Sequence, residues 1–188
     1  MEFNLWKSDL FAAVNETKAF HRGSEVSLEA GFDALLCLTE EVFRAKRMIF
    51  FAGNGASASM AGHYALDFWK NGGVRCQTFH EISQVSAISN DRSYEDVFSF
   101  PLERFGEEND AFVGISSSGN SPNVVKGAKQ ARKMGITVVS FSGFKPDNRL
   151  LALSDIGFYV PASMFGFVET THAALLHYWL DRWISHQS

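Results

Sequence analysis

Met48-Ile49-Phe50-Phe51-Ala52-Gly53-Asn54-Gly55-Ala56-Ser57 is the stretch that decides the fold of this 188-residue chain. Its apolar run is typical of a strand buried on both faces of a parallel sheet, and the glycine-rich turn after it leads into helical sequence. The arrangement recurs at residues 110–121, where an apolar run ends in Ser116-Ser117-Ser118-Gly119-Asn120-Ser121. Because open parallel sheets bind ligands at the carboxyl ends of their strands, the two turns predict one ligand site.

Both turns have the chemistry of a phosphate site. Glycines let backbone N–H groups approach an anion, N–H groups at a helix start carry partial positive charge, and serine hydroxyls add uncharged donors. Neither turn is a Walker loop or a Gly-x-Gly-x-x-Gly fingerprint, so we expect no nucleotide cofactor. One such turn usually only connects a strand to a helix, whereas two favour a small phosphorylated ligand.

The remaining pattern alternates strands with helices. Further strands are predicted at residues 136–141 and 156–160, with a weaker edge strand at 74–79, and helices near residues 57–70, 94–105, 123–134 and 167–184. This alternation predicts an α/β fold whose parallel sheet is covered on both faces.

Two amphipathic helices are predicted before the first strand. Apolar residues recur at three- and four-residue steps from Phe3 to about Phe20 and again over residues 27–46. Gly23 would break the first helix, and Ser24 or Ser27 would cap the second.

Composition limits the class of protein. A chain of 188 residues with 46% apolar and 20% charged residues predicts one domain over residues 1–188. A net charge of −4 gives no basic stripe, so we expect no nucleic-acid partner. No apolar run approaches the ~18 residues of a membrane span and no signal peptide is evident, which predicts a cytoplasmic protein away from membranes. Cys37 and Cys76 lack metal or redox spacing and are expected to be buried free thiols.

Ionisable residues near the turns fall on two predicted helices. His63 and Asp67 are four apart, and Glu169 and His177 lie about 80° apart around the final helix, in a polar stripe with Thr170 and His172. Two nitrogen and two oxygen donors would suit a divalent metal such as zinc. A His/Asp pair at this spacing is most often only a surface pair, and His172 is better explained as a core or interface histidine.

Four segments together resemble a known family. They are Phe51-Ala-Gly-Asn-Gly-Ala-Ser57, His63 with an acid at position 67, Ser89-Asn90-Asp91, and Gly114-Ile-Ser-Ser-Ser-Gly-Asn-Ser121. They resemble the phosphoheptose isomerases of the SIS (sugar isomerase) phosphosugar-binding group, over essentially the whole chain. The resemblance implies a three-layer α/β/α sandwich with a five-stranded parallel sheet at residues 47–188, preceded by two N-terminal helices at 1–46. It also implies a homotetramer with active sites between subunits.

The resemblance further implies roles for individual residues in the interconversion of a ketose phosphate and an aldose phosphate. Asn54 and Asp91 would lie near the sugar, and Asp67 and His177 would act as acid and base. The phosphate would be held by Ser57, Ser116, Ser117, Ser118 and Ser121, and zinc by His63, Asp67, Glu169 and His177. An enediol reaction needs such groups: a base of near-neutral pKa, a proton shuttle and an electrophile.

This chain departs from the family at several positions. The family usually has glutamate in place of Asp67, glutamine in place of Glu169, and polar residues where Phe165-Gly166-Phe167-Val168 is apolar. The alternative function is a non-catalytic SIS module that binds a phosphosugar or a protein. Some relatives of this type act on the replication initiator. An amino-sugar phosphate enzyme or sensor is a third.

The terminal helix is rich in aromatic residues, which could pack against another subunit. We therefore expect Trp179 or Trp183 to be buried between subunits.

Overall fold

The computed structural model describes residues 2–187, so residues 1 and 188 of the expected domain lie outside the described residues. The helices are α1 (Phe3–Asn15), α2 (Leu28–Arg44), α3 (Ala56–Lys70), α4 (Ile82–Asp91), α5 (Ser99–Phe105), α6 (Pro122–Lys133), α7 (Arg149–Leu153) and α8 (Phe165–Gln187). The strands are β1 (Lys18–His21), β2 (Ser24–Val26), β3 (Ile49–Gly53), β4 (Cys76–Thr78), β5 (Ala111–Ser116), β6 (Thr137–Gly143) and β7 (Ile156–Val160).

One sheet forms the middle of the described chain, in the strand order β2-β1-β7-β6-β5-β3-β4. The five strands from β7 to β4 are all parallel. The expected parallel sheet is therefore confirmed, but the sheet has seven strands, because β1 and β2 form an antiparallel hairpin that extends it beyond β7.

The hairpin corrects the expectation of helices throughout residues 1–46. The first helix ends at Asn15, not near Phe20, and the chain then pairs with β7. This pairing covers a sheet edge that would otherwise leave its N–H and C=O groups open. Ala19 is fully buried, and a Cβ added to Gly31 of α2 would lie 2.6 Å from the Ala19 Cβ. The sheet edge and α2 thus override a helical pattern that is only a weak preference by itself.

The other helices follow the sequence prediction closely. Ser27 caps α2, because its Oγ accepts a hydrogen bond from the Ala30 N–H at 3.2 Å. The helix predicted over residues 94–105 is divided into a 3₁₀ turn, Tyr94–Asp96, and α5. The short helices α4 and α7 were not predicted.

An apolar core lies on each face of the sheet. In one core, Trp179 and Trp183 of α8 are each 1% exposed within their own chain. The indole N–H groups donate to Thr39 Oγ1 at 2.9 Å and to the Gly72 carbonyl at 2.8 Å. The expectation that either tryptophan packs between subunits is therefore wrong, since both stabilise the protomer itself.

Both cysteines are free thiols as expected, but neither is fully buried. Cys37 of α2 is exposed and Cys76 of the edge strand β4 is half-buried. Across residues 2–187 no helix has the length and apolarity that a bilayer span requires.

Candidate functional site

The first glycine turn connects β3 to α3 in a tightly packed conformation. Gly55 has a φ of 53°, which favours glycine, and the Ser57 N–H donates to the Asn54 carbonyl at 3.0 Å. A Cβ at Gly53 would lie 2.6 Å from the Ser57 carbonyl oxygen. Only glycine fits there, and Ser57 is thereby held in the first turn of α3.

The second turn, between β5 and α6, has a comparable architecture. The Ser116 and Ser121 hydroxyl oxygens are 3.0 Å apart and hydrogen-bonded, and Ser118 Oγ accepts from the Asn120 N–H at 3.2 Å. Gly119 has a φ of 63°, and a Cβ there would collide with the side chain of Asn148 at 2.0 Å. The turn therefore depends on glycine and gathers several hydroxyl groups at the start of a helix.

The two turns lie side by side because β3 and β5 are neighbours in the sheet. Their side chains are also joined: Asn54 Nδ2 donates to Asn123 Oδ1 at 2.9 Å, and Asn123 Nδ2 donates to Asn54 Oδ1 at 2.8 Å. Tyr94 Oη donates to the same Asn54 oxygen at 2.9 Å. Sequence reasoning missed Asn123 and Tyr94, although the position of Asn123 two residues after Ser121 was a usable signal.

The structure brings most of the predicted phosphate residues to this edge of the sheet. Ser57, Ser116 and Ser117 are buried, and Ser118 and Ser121 are half-buried. Asp91 is exposed at the end of α4, where its carboxylate accepts from the Asn90 side chain at 2.8 Å. No contact of Asp91 with either turn is present among residues 2–187.

Glu169 connects α8 to the second turn. Its Oε1 accepts a hydrogen bond from Ser117 Oγ at 3.5 Å. His177 is eight residues further along α8, a rise of about 12 Å. The two side chains do not converge in this arrangement, because Glu169 lies at the serine turn while His177 lies beside α3.

A second cluster forms where α3 faces α8. The rings of His63 and His177 have centroids 5.7 Å apart, and Tyr64 stacks edge-on against His177 at 5.0 Å. His63 Nε2 is 3.4 Å from Asp67 Oδ2. Tyr64 Oη donates to the Ala173 carbonyl at 2.7 Å, midway between Glu169 and His177 in sequence. The predicted His63, Asp67 and His177 are therefore neighbours.

Tyr64 is a buried member of this cluster that sequence reasoning missed. Burial, with the negative charges of Asp67 and Asp181 nearby, raises the pKa of Tyr64 to about 12. The phenol therefore stays protonated at neutral pH and keeps its hydrogen bond to α8.

The residues of the second cluster carry the nitrogen and oxygen donors that zinc takes, and two of their pairwise distances are compatible with a shared ion. Two ligand atoms on one tetrahedral zinc, each about 2.0–2.1 Å from it, are about 3.4 Å apart, which matches His63 Nε2 and Asp67 Oδ2. Two imidazoles sharing a zinc have ring centroids about 5 Å apart, close to the 5.7 Å between His63 and His177. As arranged in residues 2–187, however, no group of three His, Cys, Asp or Glu converges as a metal site.

Two further histidines are held in apolar surroundings. His172 is fully buried as a core residue, where its Nε2 lies 3.1 Å from the Ser142 carbonyl and burial lowers its pKa to about 4. The alternative of a core histidine is thereby confirmed. His80 was missed: its Nε2 lies 2.8 Å from the Gly53 carbonyl, and burial lowers its pKa. A neutral His80 thus donates to the strand end that leads into the first turn.

Comparison with known proteins gives consistent matches. Residues 15–143 match the SIS domain family. The phosphoheptose isomerase of Fusobacterium nucleatum is 31% identical over 141 residues, which cover 72% of each chain. A phosphoheptose isomerase of Helicobacter pylori is 29% identical over 184 residues, covering 95% of this chain and 93% of that one.

Solved structures agree with the relatives. The phosphoheptose isomerase of Neisseria gonorrhoeae superposes with a TM-score of 0.83 at 25% identity, over 97% of this chain and 96% of that one. The enzyme of Francisella tularensis gives a TM-score of 0.84 at 17% identity, over 98% and 96%, and supports the fold alone.

Proposed function

This chain belongs to the SIS domain family and, within it, to the phosphoheptose isomerases, which are aldose–ketose isomerases. We propose that its reaction converts sedoheptulose 7-phosphate to a heptose 7-phosphate. The observation that carries the proposal is the connection of the two serine turns by Asn54 and Asn123. Helix α8 contacts the second of these turns through Glu169 and carries His177 further along. An anion site and a group of acids and bases therefore share the α8 side of the sheet edge.

The phosphate is bound by hydroxyl and backbone N–H groups in this proposal. The serines that hold it are Ser57, Ser116, Ser117, Ser118 and Ser121. Both turns precede helices, so the dipoles of α3 and α6 add positive potential at the anion. Asn54 of the first turn and Asp91 at the end of α4 contact the sugar in this proposal.

His177 and Asp67 carry the proton transfers. Isomerisation through an enediol moves a proton between adjacent carbons, and the exposed imidazole of His177 is suited to remove and return it. Asp67, 18% exposed at its side chain, moves the proton between the sugar oxygens. Tyr64, whose pKa is raised to about 12, orients the histidine by ring contact and takes no proton.

We further propose that His63, Asp67, His177 and Glu169 hold zinc. The two pairwise distances support the first three ligands, while Glu169 must leave Ser117 to join them. Zinc supplies a Lewis acid that stabilises negative charge developing on a sugar oxygen. Asp67 and His177 thus have two proposed roles each. For His177 the roles must alternate, because a neutral imidazole that binds zinc through its one lone pair has none left to accept a proton.

We also propose a homotetramer with active sites between subunits. The support is apolar surface left exposed on α1 and α3, where Phe3, Leu5 and Trp69 are 72%, 61% and 54% exposed. Burial of these large apolar side chains against other copies of the chain would remove their surface from water. The partner is thus another copy of this chain, with a phosphosugar as the ligand and a cytoplasmic location, where charged sugar phosphates are retained.

Turnover of sedoheptulose 7-phosphate, with ribulose 5-phosphate and fructose 6-phosphate for comparison, tests the proposal. Replacing the base, His177→Ala, lowers kcat by about 10²–10⁴-fold and leaves the affinity for the phosphosugar largely intact. His186→Ala is the matched control, because His186 lies on the same helix and is exposed. Binding without turnover by the wild type contradicts the isomerase and favours the non-catalytic SIS module. Retained turnover in His177→Ala removes His177 from the mechanism.

A further inference from the structure

A charged groove of about 630 Å³ lies between α6 and the segment from Arg92 to Glu103. We call it the basic groove and define it by its charged residues: Arg92, Lys126, Lys129, Lys133 and Arg149, with Glu95, Asp96 and Glu103. Five cations against three carboxylates give a local charge of +2, in a chain whose net charge is −4. The groove is thus opposite in sign to the protein as a whole.

The cations run from the second serine turn along one face of α6. The helix begins at Pro122, directly after Ser121, and its lysines follow at positions 126, 129 and 133. At 1.5 Å per residue this row extends from about 6 Å to about 16 Å beyond the turn. Arg149 is fixed at the same end, because its backbone N–H donates to Asn120 Oδ1 at 3.2 Å.

Several of these charges are not neutralised by a neighbour. Lys126 pairs with Asp96 at 3.0 Å, and this pairing lowers the pKa of Asp96. Within residues 2–187, no carboxylate oxygen is within 4.0 Å of the side-chain nitrogens of Lys129, Lys133 or Arg149. Their field therefore reaches outward into the solvent.

We propose that the basic groove attracts the doubly charged phosphosugar towards the serine turns, a role that rests on the proposed function. The turns contain no lysine or arginine in residues 53–57 or 116–121, so they hold phosphate through short-range dipoles only. At larger distances the net charge of −4 repels a dianion. A positive channel that starts one helical turn from the binding site reverses this repulsion and raises the local substrate concentration.

The distance of each lysine from the serine turns determines the ionic strength at which it attracts the substrate. The Debye length is about 8 Å at physiological ionic strength and about 30 Å at 0.01 M. The end of the row at Lys133 is therefore screened from the turns in 0.15 M salt but not in dilute buffer. The attraction is greatest at low ionic strength, where the whole row acts on the substrate.

The test removes the two distal charges with Lys129→Gln plus Lys133→Gln. The matched control is Arg44→Gln plus Lys46→Gln, which makes the same change in net charge at the end of α2 and just before β3, outside the groove. The measurement is kcat and kcat/KM for sedoheptulose 7-phosphate from about 0.01 M to 0.5 M ionic strength. We expect the groove variant to lose about threefold to tenfold in kcat/KM at the lowest salt, with kcat unchanged and no difference at the highest.

Two outcomes overturn the proposal. An equal loss in the groove and control variants assigns the effect to net charge, and an unchanged salt dependence in the groove variant removes the effect altogether. If the wild type does not turn over sedoheptulose 7-phosphate, the proposed function fails separately. Inorganic phosphate is then the probe: its affinity must show the same salt-dependent loss in the groove variant, or the groove proposal fails too.

Discussion

Asn54 and Asn123 exchange two side-chain hydrogen bonds, of 2.9 Å and 2.8 Å, across 69 residues of sequence. Asn54 belongs to the first glycine turn and Asn123 to the first turn of α6. A reciprocal pair of this kind fixes the relative position of two loops that the sheet alone would leave free to shift. It therefore sets the distance between the two halves of the proposed phosphate site.

Replacing Asn123 tests this connection. Asn123 is 1% exposed, so Asn123→Ala leaves a cavity. It also removes the acceptor of the Asn54 Nδ2 group and one of the two donors to Asn54 Oδ1, leaving only the bond from Tyr94. We expect a loss of about 1–3 kcal/mol in the free energy of unfolding, measured with urea. Affinity for a phosphosugar, measured by calorimetry, falls about tenfold because the turns are no longer held together.

Tyr94→Phe is the matched control, since Tyr94 donates to the same Asn54 oxygen from a side chain that is 54% exposed. Its effect on stability is expected to stay below about 1 kcal/mol. Wild-type phosphosugar affinity in Asn123→Ala would show that the pair does not set the geometry of the site.

Gly53→Ala is expected to distort the first turn. The new Cβ would meet the Ser57 carbonyl oxygen at 2.6 Å, and backbone atoms cannot move aside as a flexible side chain can. We expect a stability loss of about 1–3 kcal/mol and weakened binding of inorganic phosphate. In the control Gly62→Ala, an added Cβ has no atom within 4 Å, so alanine stabilises α3 by about 0.5–1 kcal/mol. Equal phosphate affinity in the two variants would contradict a role for this turn.

Zinc is expected to stabilise the folded protein through the His63, Asp67 and His177 cluster. A ligand at about 100 times its Kd adds about 2.7 kcal/mol to the free energy of unfolding. Asp67→Asn removes the anionic ligand and reduces this gain, as followed by the rise of Tm with added zinc. Asp181→Asn, which changes another carboxylate near Tyr64, keeps the gain. A wild type whose Tm does not respond to zinc rules out this site.

His172 predicts a pH dependence of stability. Full burial lowers the pKa of His172 from 6.5 to about 4. Between pH 6.5 and pH 4, His172 is therefore protonated in the unfolded chain but not in the folded chain. The contribution of neutral His172 to the free energy of unfolding is fully present above pH 6.5. It decreases by about 3 kcal/mol in total as the pH falls towards 4.

The variant that removes this contribution is His172→Gln, which retains a donor for the Ser142 carbonyl. We expect its unfolding free energy to change less between pH 7 and pH 4 than that of the wild type. Parallel pH profiles for the two proteins would assign the acid sensitivity to other groups.

Much of the fold could be predicted because its signals are local. Continuous apolar runs at β3 and β5 exclude amphipathic helices. In the turns that follow, Gly55 and Gly119 have a positive φ, a conformation that few other residues adopt. The β1–β2 hairpin could not be predicted, because its strands are short and owe their pairing to the open edge of β7. Its only local signal was the turn at Arg22 and Gly23.

The sequence by itself determined the order of strands and helices, the two serine turns and the residue types that could serve phosphate and metal, since these depend on sterics and periodicity along the chain. Only the tertiary structure decided which of those residues meet. Helical spacing put Glu169 and His177 on one side of α8, yet the rise of the helix sends Glu169 to Ser117 and His177 to His63. Contacts between distant segments follow from how the sheet orders its strands and how α8 crosses them, and no local pattern encodes that packing.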